Sequence, residues 1–234
     1  ERFTPTYGKP CYVDPDRKGS TVSDELERID LKNRRTTPVS LQQQMITFIK
    51  RRCPSWHGML LLDQVREANC GVLTSRVRKA LTALARQRPQ MVTLADSRVR
   101  IKLYRQVVTK PNEFEAAHAL GTAGKRFSMT ASRSHASRLS LHTGRPVFLT
   151  LGTRGVLVAD AGHVQHIPAR KVEGPTDTVG AGDATSAALA AALAAGANLE
   201  EAATIAAATA AITVRQVGTT GTATQAQIRR CFKT

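Results

Sequence analysis

The chain has 234 residues, 41% hydrophobic and 22% charged, enough for one large α/β domain or two small ones. Aromatic residues make up only 4%, too few for a single-stranded nucleic-acid platform that relies on stacking rings. The net charge of +16 is spread rather than gathered: residues 1–110 carry 22 basic and 10 acidic side chains, residues 111–234 carry 12 and 8. A surface of that kind favours phosphorylated ligands, and without a recognition motif no specific nucleic-acid partner is expected. Cys11, Cys53, Cys70 and Cys231 form no CxxC pair and read as reduced thiols, so a cytoplasmic setting is expected. No signal-peptide pattern is visible, and an opening Glu1 in place of Met fits a fragment boundary.

Residues 1–40 are polar and hold Pro5, Pro10, Pro15 and Pro38; with no clear period they read as a loop-rich or edge segment. LQQQMITFIKR (41–51) predicts a short helix, and HGMLLLD (57–63) a buried strand ending in an acid. LTSRVRKALTALARQ (73–87) sets Val77, Leu81 and Leu84 at helical spacing with basic residues opposite. MVTLAD (91–96) and QVVT (106–109) predict two more strands, and KPNEFEAAHAL (110–120) a helix. SRSHASR (132–138) is read as a polar loop or helix face. RPVFLTLG (145–152), GVLVAD (155–160) and HVQHIPA (163–169) predict strands, the last at an edge. The alanine-rich segment splits at GAN (196–198) into helices over 182–195 and 199–215, and a last helix is expected near 223–232. Gly196, Asn198, Glu200 and Glu201 interrupt it, so no membrane span is predicted. Strands alternating with helices imply a mostly parallel sheet covered on both faces.

DTVGAGDAT (177–185) holds the chemistry. A Gly-Ala-Gly turn at a helix start aims the amides of Gly180, Ala181 and Gly182 at one spot, where the helix dipole adds positive potential. Asp183 would repel a phosphate bound there. It makes sense if a hydroxyl must attack that phosphate: the carboxylate takes the proton while the amides hold the developing charge. An N-cap aspartate after a glycine turn is the plainer alternative. Asp177 is read as orienting the turn. His163 and His166 form HxxH without a third ligand, a weak metal pattern, and His118 reads as a surface or packing histidine.

DTVGAGDA resembles the second signature of the PfkB, or ribokinase-like, family of carbohydrate kinases. The resemblance implies a three-layer α/β/α sandwich, ATP and Mg²⁺ as cofactors, and a sugar or sugar phosphate as acceptor. It makes Asp183 the catalytic base and residues 180–182 the anion hole. PNEFE (111–115) resembles the family's N-x-x-E, which implies that Asn112 and Glu115 organise a hydrated Mg²⁺; the same spacing also suits a plain helix start. VFLTLGTRGVLV (147–158) resembles its T-x-G-x-x-G, placing Thr150, Gly152 and Gly155 beside the nucleotide. AAATAAITVRQVGT (206–219) resembles the segment over the adenine, with Gly218 at its turn. These motifs keep family order over residues 107–219.

A finer resemblance is to the kinase domain of heptose 7-phosphate kinase/ADP-heptose synthase proteins. It rests on LLLD (60–63), GVLT (71–74), LADSR (94–98, with Asp96 and Arg98) and RIDLKN (28–33), and implies a heptose 7-phosphate-like acceptor. DQVREANCG departs from that group by lacking its lysine. Nothing in residues 1–40 matches the acid-bearing strand and glycine pair with which the family begins. The expectation is an N-terminally truncated ribokinase-like domain over 41–234, with 1–40 a remnant of the lid or substrate region. The missing part would lie on another polypeptide, a partner copy in a homodimer included, or in a longer protein. A degenerate, non-catalytic paralogue is the remaining reading.

Overall fold

The computed structural model describes residues 2–8, 10–13, 22–122, 124 and 126–232. Among the described residues at the front of the chain, four short strands form a narrow ribbon joined by irregular segments. Strand β1 (Thr6–Gly8) leads to β2 (Cys11–Val13); β3 (Val22–Glu25) returns antiparallel to β2, and β4 (Ile29–Leu31) antiparallel to β1. Such strands of three or four residues leave no periodic trace in sequence. Arg28 and Lys32 both pair with Asp30 and lie over the Tyr7 ring. The ribbon's base is tied to the body where Arg2 donates to the Cys70 carbonyl at 2.6 Å and Thr37 Oγ1 to the Gly71 carbonyl at 2.8 Å.

The body follows the expected alternation: α1 (Val39–Arg52), β5 (Gly58–Asp63), α2 (Ser75–Gln87), β6 (Val92–Ser97), β7 (Val108–Thr109), α3 (Glu113–Ala119) and α4 (Met129–Thr143). Then come β8 (Val147–Thr150), β9 (Val156–Asp160), β10 (His163–Ile167), α5 (Ala181–Ala194), α6 (Leu199–Thr213) and α7 (Gln225–Arg230). Six strands make one sheet in the order β10-β9-β8-β7-β6-β5. β5 to β8 run parallel, and β9 and β10 turn back antiparallel.

Alternate side chains feed two faces, as the pleat requires. Met59 and Leu61 meet Ile46 of α1 and the Val77, Leu81 and Leu84 stripe of α2. Val147 and Leu149 meet Leu139 of α4 on the same face. Leu94, Val108 and Phe148 point the other way, onto Leu189 of α5 and the alanines of α6. Alanine suits that layer because it brings two helices close together over the sheet with little side-chain entropy lost. Helix α4 is the element least visible in sequence. Its buried face is Ser132, His135, Ala136, Leu139, Ser140 and Thr143, helical in spacing but mostly polar.

Candidate active site

The functional residues gather at the carboxyl end of the parallel strands, where α/β sheets open a crevice. Gly180 sits at φ +78° as N-cap of α5, and a Cβ there would come within 2.6 Å of Thr220 Cγ2. Only glycine makes that turn. Asp177 holds it from both sides: Oδ1 accepts from Val179 N–H at 2.9 Å and Oδ2 from Gly218 N–H at 3.1 Å. Its own N–H donates to the Val214 carbonyl at 2.7 Å. Asp177 therefore ties the turn to the loop after α6, an orienting role.

Of the three amides assigned to the anion hole, Ala181 N–H donates to the Thr178 carbonyl at 3.2 Å. Among the described residues no acceptor is present for the amides of Gly180 and Gly182, nor for Asp183 N–H. The Asp183 carboxylate stands exposed in the first turn of α5, with no hydrogen bond or ion pair among the described residues.

A cleft of about 890 Å³ opens beside this turn, within the size range of small-molecule sites. Ala181, Gly182 and Thr185 line it, with Thr150, Gly152 and Gly155, and with Ala206 and Ala210 of α6 and Val214 just after that helix. Thr150, Gly152 and Gly155 lie along the tight β8–β9 connection. Gly155, at φ +98°, is forced to be glycine because a Cβ would lie 2.1 Å from the Ile167 carbonyl. Asn112 also lines the cleft, bridged to Thr150 and with Thr150 N–H donating to the Pro111 carbonyl at 2.9 Å.

Four expected residues stand outside the lining: Gly180 and Asp183 at the turn, Gly218 and Glu115. Gly218 turns at φ +76° but gives its amide to Asp177. Glu115 closes a capping box: its Oε2 accepts from Asn112 N–H and Asn112 Oδ1 accepts from Glu115 N–H, both at 2.9 Å. Burial pushes the Glu115 carboxyl above its usual range, the Asn112 N–H pulls it partly back, and Asp96 pushes it up further against Lys110 and Arg98. One carboxylate oxygen is thus committed to the backbone.

Sequence reasoning missed Lys110 and Ser186. Lys110 Nζ pairs with Asp96 Oδ2 at 2.8 Å, and Ser186 Oγ donates to the same oxygen at 3.1 Å. Arg154, inside the T-x-G-x-x-G turn, pairs with Glu113, whose Oε1 also accepts from Ser132 at 2.8 Å. His166 contacts the Arg154 carbonyl at 2.7 Å, and among the described residues no three metal-ligating side chains converge. Cys53, Cys70 and Cys231 are free thiols, and no helix among the described residues is long and apolar enough to cross a membrane.

The sequence pattern of the pfkB family carbohydrate kinases matches residues 58–226. The chain belongs to that family. Its curated relatives include the bifunctional protein HldE of Hyphomonas neptunium, 32% identical over 200 residues covering 83% of this chain and 39% of the relative. The bifunctional protein HldE of Nitrobacter winogradskyi is 34% identical over 194 residues, 81% of this chain and 38% of its own. The chain spans about two fifths of the length of these relatives. Among solved structures, Escherichia coli phosphofructokinase-2 in complex with potassium superposes at TM-score 0.67 and 19% identity, over 87% of this chain and 65% of its own. Arabidopsis thaliana ribokinase complexed with ribose and ATP gives 0.64 and 17%, over 90% and 66%. Ribokinase from Thermotoga maritima gives 0.56 and 24%, over 75% and 57%. The fold is therefore ribokinase-like, a three-layer α/β/α sandwich.

Proposed function

We propose that this chain carries out ATP-dependent phosphoryl transfer to a hydroxyl of a sugar or sugar phosphate, with a heptose 7-phosphate-like acceptor first among candidates. The observation that carries the reading is the turn at 180–182: among the described residues the amides of Gly180 and Gly182 have no acceptor and the exposed Asp183 carboxylate no partner, and Ala181 and Gly182 line the cleft. Asp183 takes the proton of the acceptor hydroxyl. That oxygen attacks the terminal phosphorus, the bond to the bridging oxygen breaks, and ADP leaves. The amides hold the charge on the transferring group, Ala181 N–H joining once it leaves the Thr178 carbonyl. The nucleotide lies along the cleft between the Thr150, Gly152 and Gly155 wall and α6, with Gly218 shaping the α6 loop through Asp177. Mg²⁺ supplies charge neutralisation on the phosphates when bound. The free carboxylate oxygen of Glu115 and the Asn112 side chain fit such an ion through water, in keeping with its preference for retained waters. An ATP-rich cytoplasmic setting belongs to the same reading.

Asp183→Asn is expected to lower kcat by about 10²- to 10⁴-fold while Mg·ATP affinity stays within a few-fold. Full turnover in the variant would remove Asp183 as the base. Joint loss of binding and folding would make it a cap instead.

A second reading, a non-catalytic nucleotide-binding protein, is favoured by one observation: the Gly218 amide and one Glu115 carboxylate oxygen, both expected at the site, are engaged within the chain. Thermal shift with Mg·ATP, with and without candidate sugars, separates the two. Stabilisation by nucleotide with no turnover on any sugar supports the second. In either case residues 1–40 are read as the lid side, with residues 41–234 as the nucleotide-binding unit. A second copy, or further polypeptide, would complete the β5 edge.

A further inference from the structure

Lys110 follows β7 directly, and its backbone N–H donates to the Ala95 carbonyl at 2.9 Å, which holds it at the carboxyl end of the sheet. Its side chain runs inward rather than to solvent, leaving the residue 4% exposed and its ammonium 2.8 Å from Asp96 Oδ2. The Ser186 hydroxyl that donates to Asp96 also lies 3.1 Å from the Gly182 carbonyl, so the ion pair is fastened to the first turn of α5. The ammonium reaches that turn itself. A Cβ built on Gly182 would lie 4.0 Å from Lys110 Nζ, and no other atom beyond the local chain comes as near.

A buried ion pair costs desolvation that mutual attraction seldom returns in full, and apolar side chains of similar volume often serve stability better. Stability alone is thus a poor reason to bury Lys110 here. Its place against Gly182 supplies another. A cation fixed in a dry setting projects its field further than one in water, and it adds to the dipole of α5 at the same point. Asp96 sets how much of that charge the turn feels.

We propose that Lys110 is a positioning residue for the phosphoryl donor, a fixed cation behind the turn at 180–182 that favours a triphosphate over a diphosphate. The proposal rests on the phosphoryl-transfer reading of this turn and deepens it by assigning donor selectivity to one buried ion pair. Only a triphosphate places its terminal group at the turn; a diphosphate stops one group short of the cation.

The test is calorimetric binding of Mg·ATP and Mg·ADP to the whole chain. Lys110→Met leaves Asp96 as an uncompensated anion and is expected to lower the ATP-to-ADP affinity ratio by about tenfold. Lys110→Met/Asp96→Asn removes both charges, and its ratio is expected between that of the single variant and the wild type. Ser186→Ala disturbs the same buried spot without a charge change and is expected to leave the ratio within about twofold. If the single variant does not fold, the double variant carries the test. A merely structural role would move the melting temperatures while the ratio stays fixed in every folded variant, and that result would overturn the proposal. A wild-type chain that binds neither nucleotide sinks the phosphoryl-transfer reading as well; wild-type binding with an unmoved ratio sinks only the role of Lys110.

Discussion

The two ends of the six-stranded sheet are built on different terms. At one end β8, β9 and β10 fold back antiparallel, and the outermost strand alternates as an edge should. His163 and Gln165 are exposed, and Val164 and His166 between them are half-buried. At the other end β5 reads GMLLLD, with no lysine and no proline, and still leaves Leu60 36% and Leu62 42% exposed. Near-continuous apolar strands belong inside parallel sheets, whereas natural edges carry polar or charged guards. The β10 end has the composition of a true edge, and β5 that of an interior strand. The cleft lies between the two, along the β8–β9 connection and α6, while α5, whose first turn carries residues 180–182, packs on β5 and β6.

The largest effect is expected where the finished end is tightest. Gly155→Ala would drive a Cβ to 2.1 Å from the Ile167 carbonyl, in a backbone conformation that L side chains rarely adopt. The β8–β9 turn and the cleft wall must then shift together, at a cost of about 3 kcal/mol or more. Urea unfolding should show that loss, with nucleotide binding falling in parallel. A variant as stable as the wild type would mean that this connection is loose, and the contrast between the two ends would go with it.

How much of this was legible depends on whether a feature is local. The Val77, Leu81 and Leu84 stripe, the strands ending at Asp63 and near Asp96, and the glycine turn at 180–182 declare themselves by spacing and residue type, and each is found close to where sequence reasoning places it. Helix α4 does not, because four of the six residues on its buried face are serine, histidine or threonine, which periodicity scores as polar. Lys110 was invisible for another reason. Nothing beside it in sequence says that a lysine will turn inward; its partners Asp96 and Ser186 come from β6 and α5. Asp177 falls between these cases. Its link to Val179 is local and foreseeable, but its link to Gly218 spans 41 residues and takes that amide out of the cleft.

At the unfinished end the expected effect is smaller and of another kind. Leu60→Lys/Leu62→Lys places charge on side chains already half in water, so each change should move unfolding stability by no more than about 0.5 kcal/mol. Association should respond instead. If β5 is covered by a second copy, sedimentation velocity of the wild type will show concentration-dependent growth that the double variant lacks. If both stay monomeric at all concentrations, a second copy is excluded as the cover. A large loss of stability in the variant would mean instead that Leu60 and Leu62 belong to the core, and the two ends would differ less than their sequences do.

The smallest effect concerns Glu115, at the start of α3 between the two ends. Burial raises its carboxyl in the folded chain above the ordinary value of 4.5. A raised acid binds its proton more readily folded than unfolded, so its contribution is most favourable below 4.5 and is lost as pH rises through the folded value. In Glu115→Gln the side-chain oxygen can still accept from Asn112 N–H and the backbone N–H of residue 115 still donates to Asn112 Oδ1, which preserves the capping box while removing the charge. Thermal unfolding between about pH 4 and pH 7 should therefore decline less steeply in the variant than in the wild type. Equal slopes would assign the pH dependence elsewhere. A steeper decline in the variant would mean that the ionised carboxylate is stabilised here, as it would be if the Asn112 N–H outweighed burial.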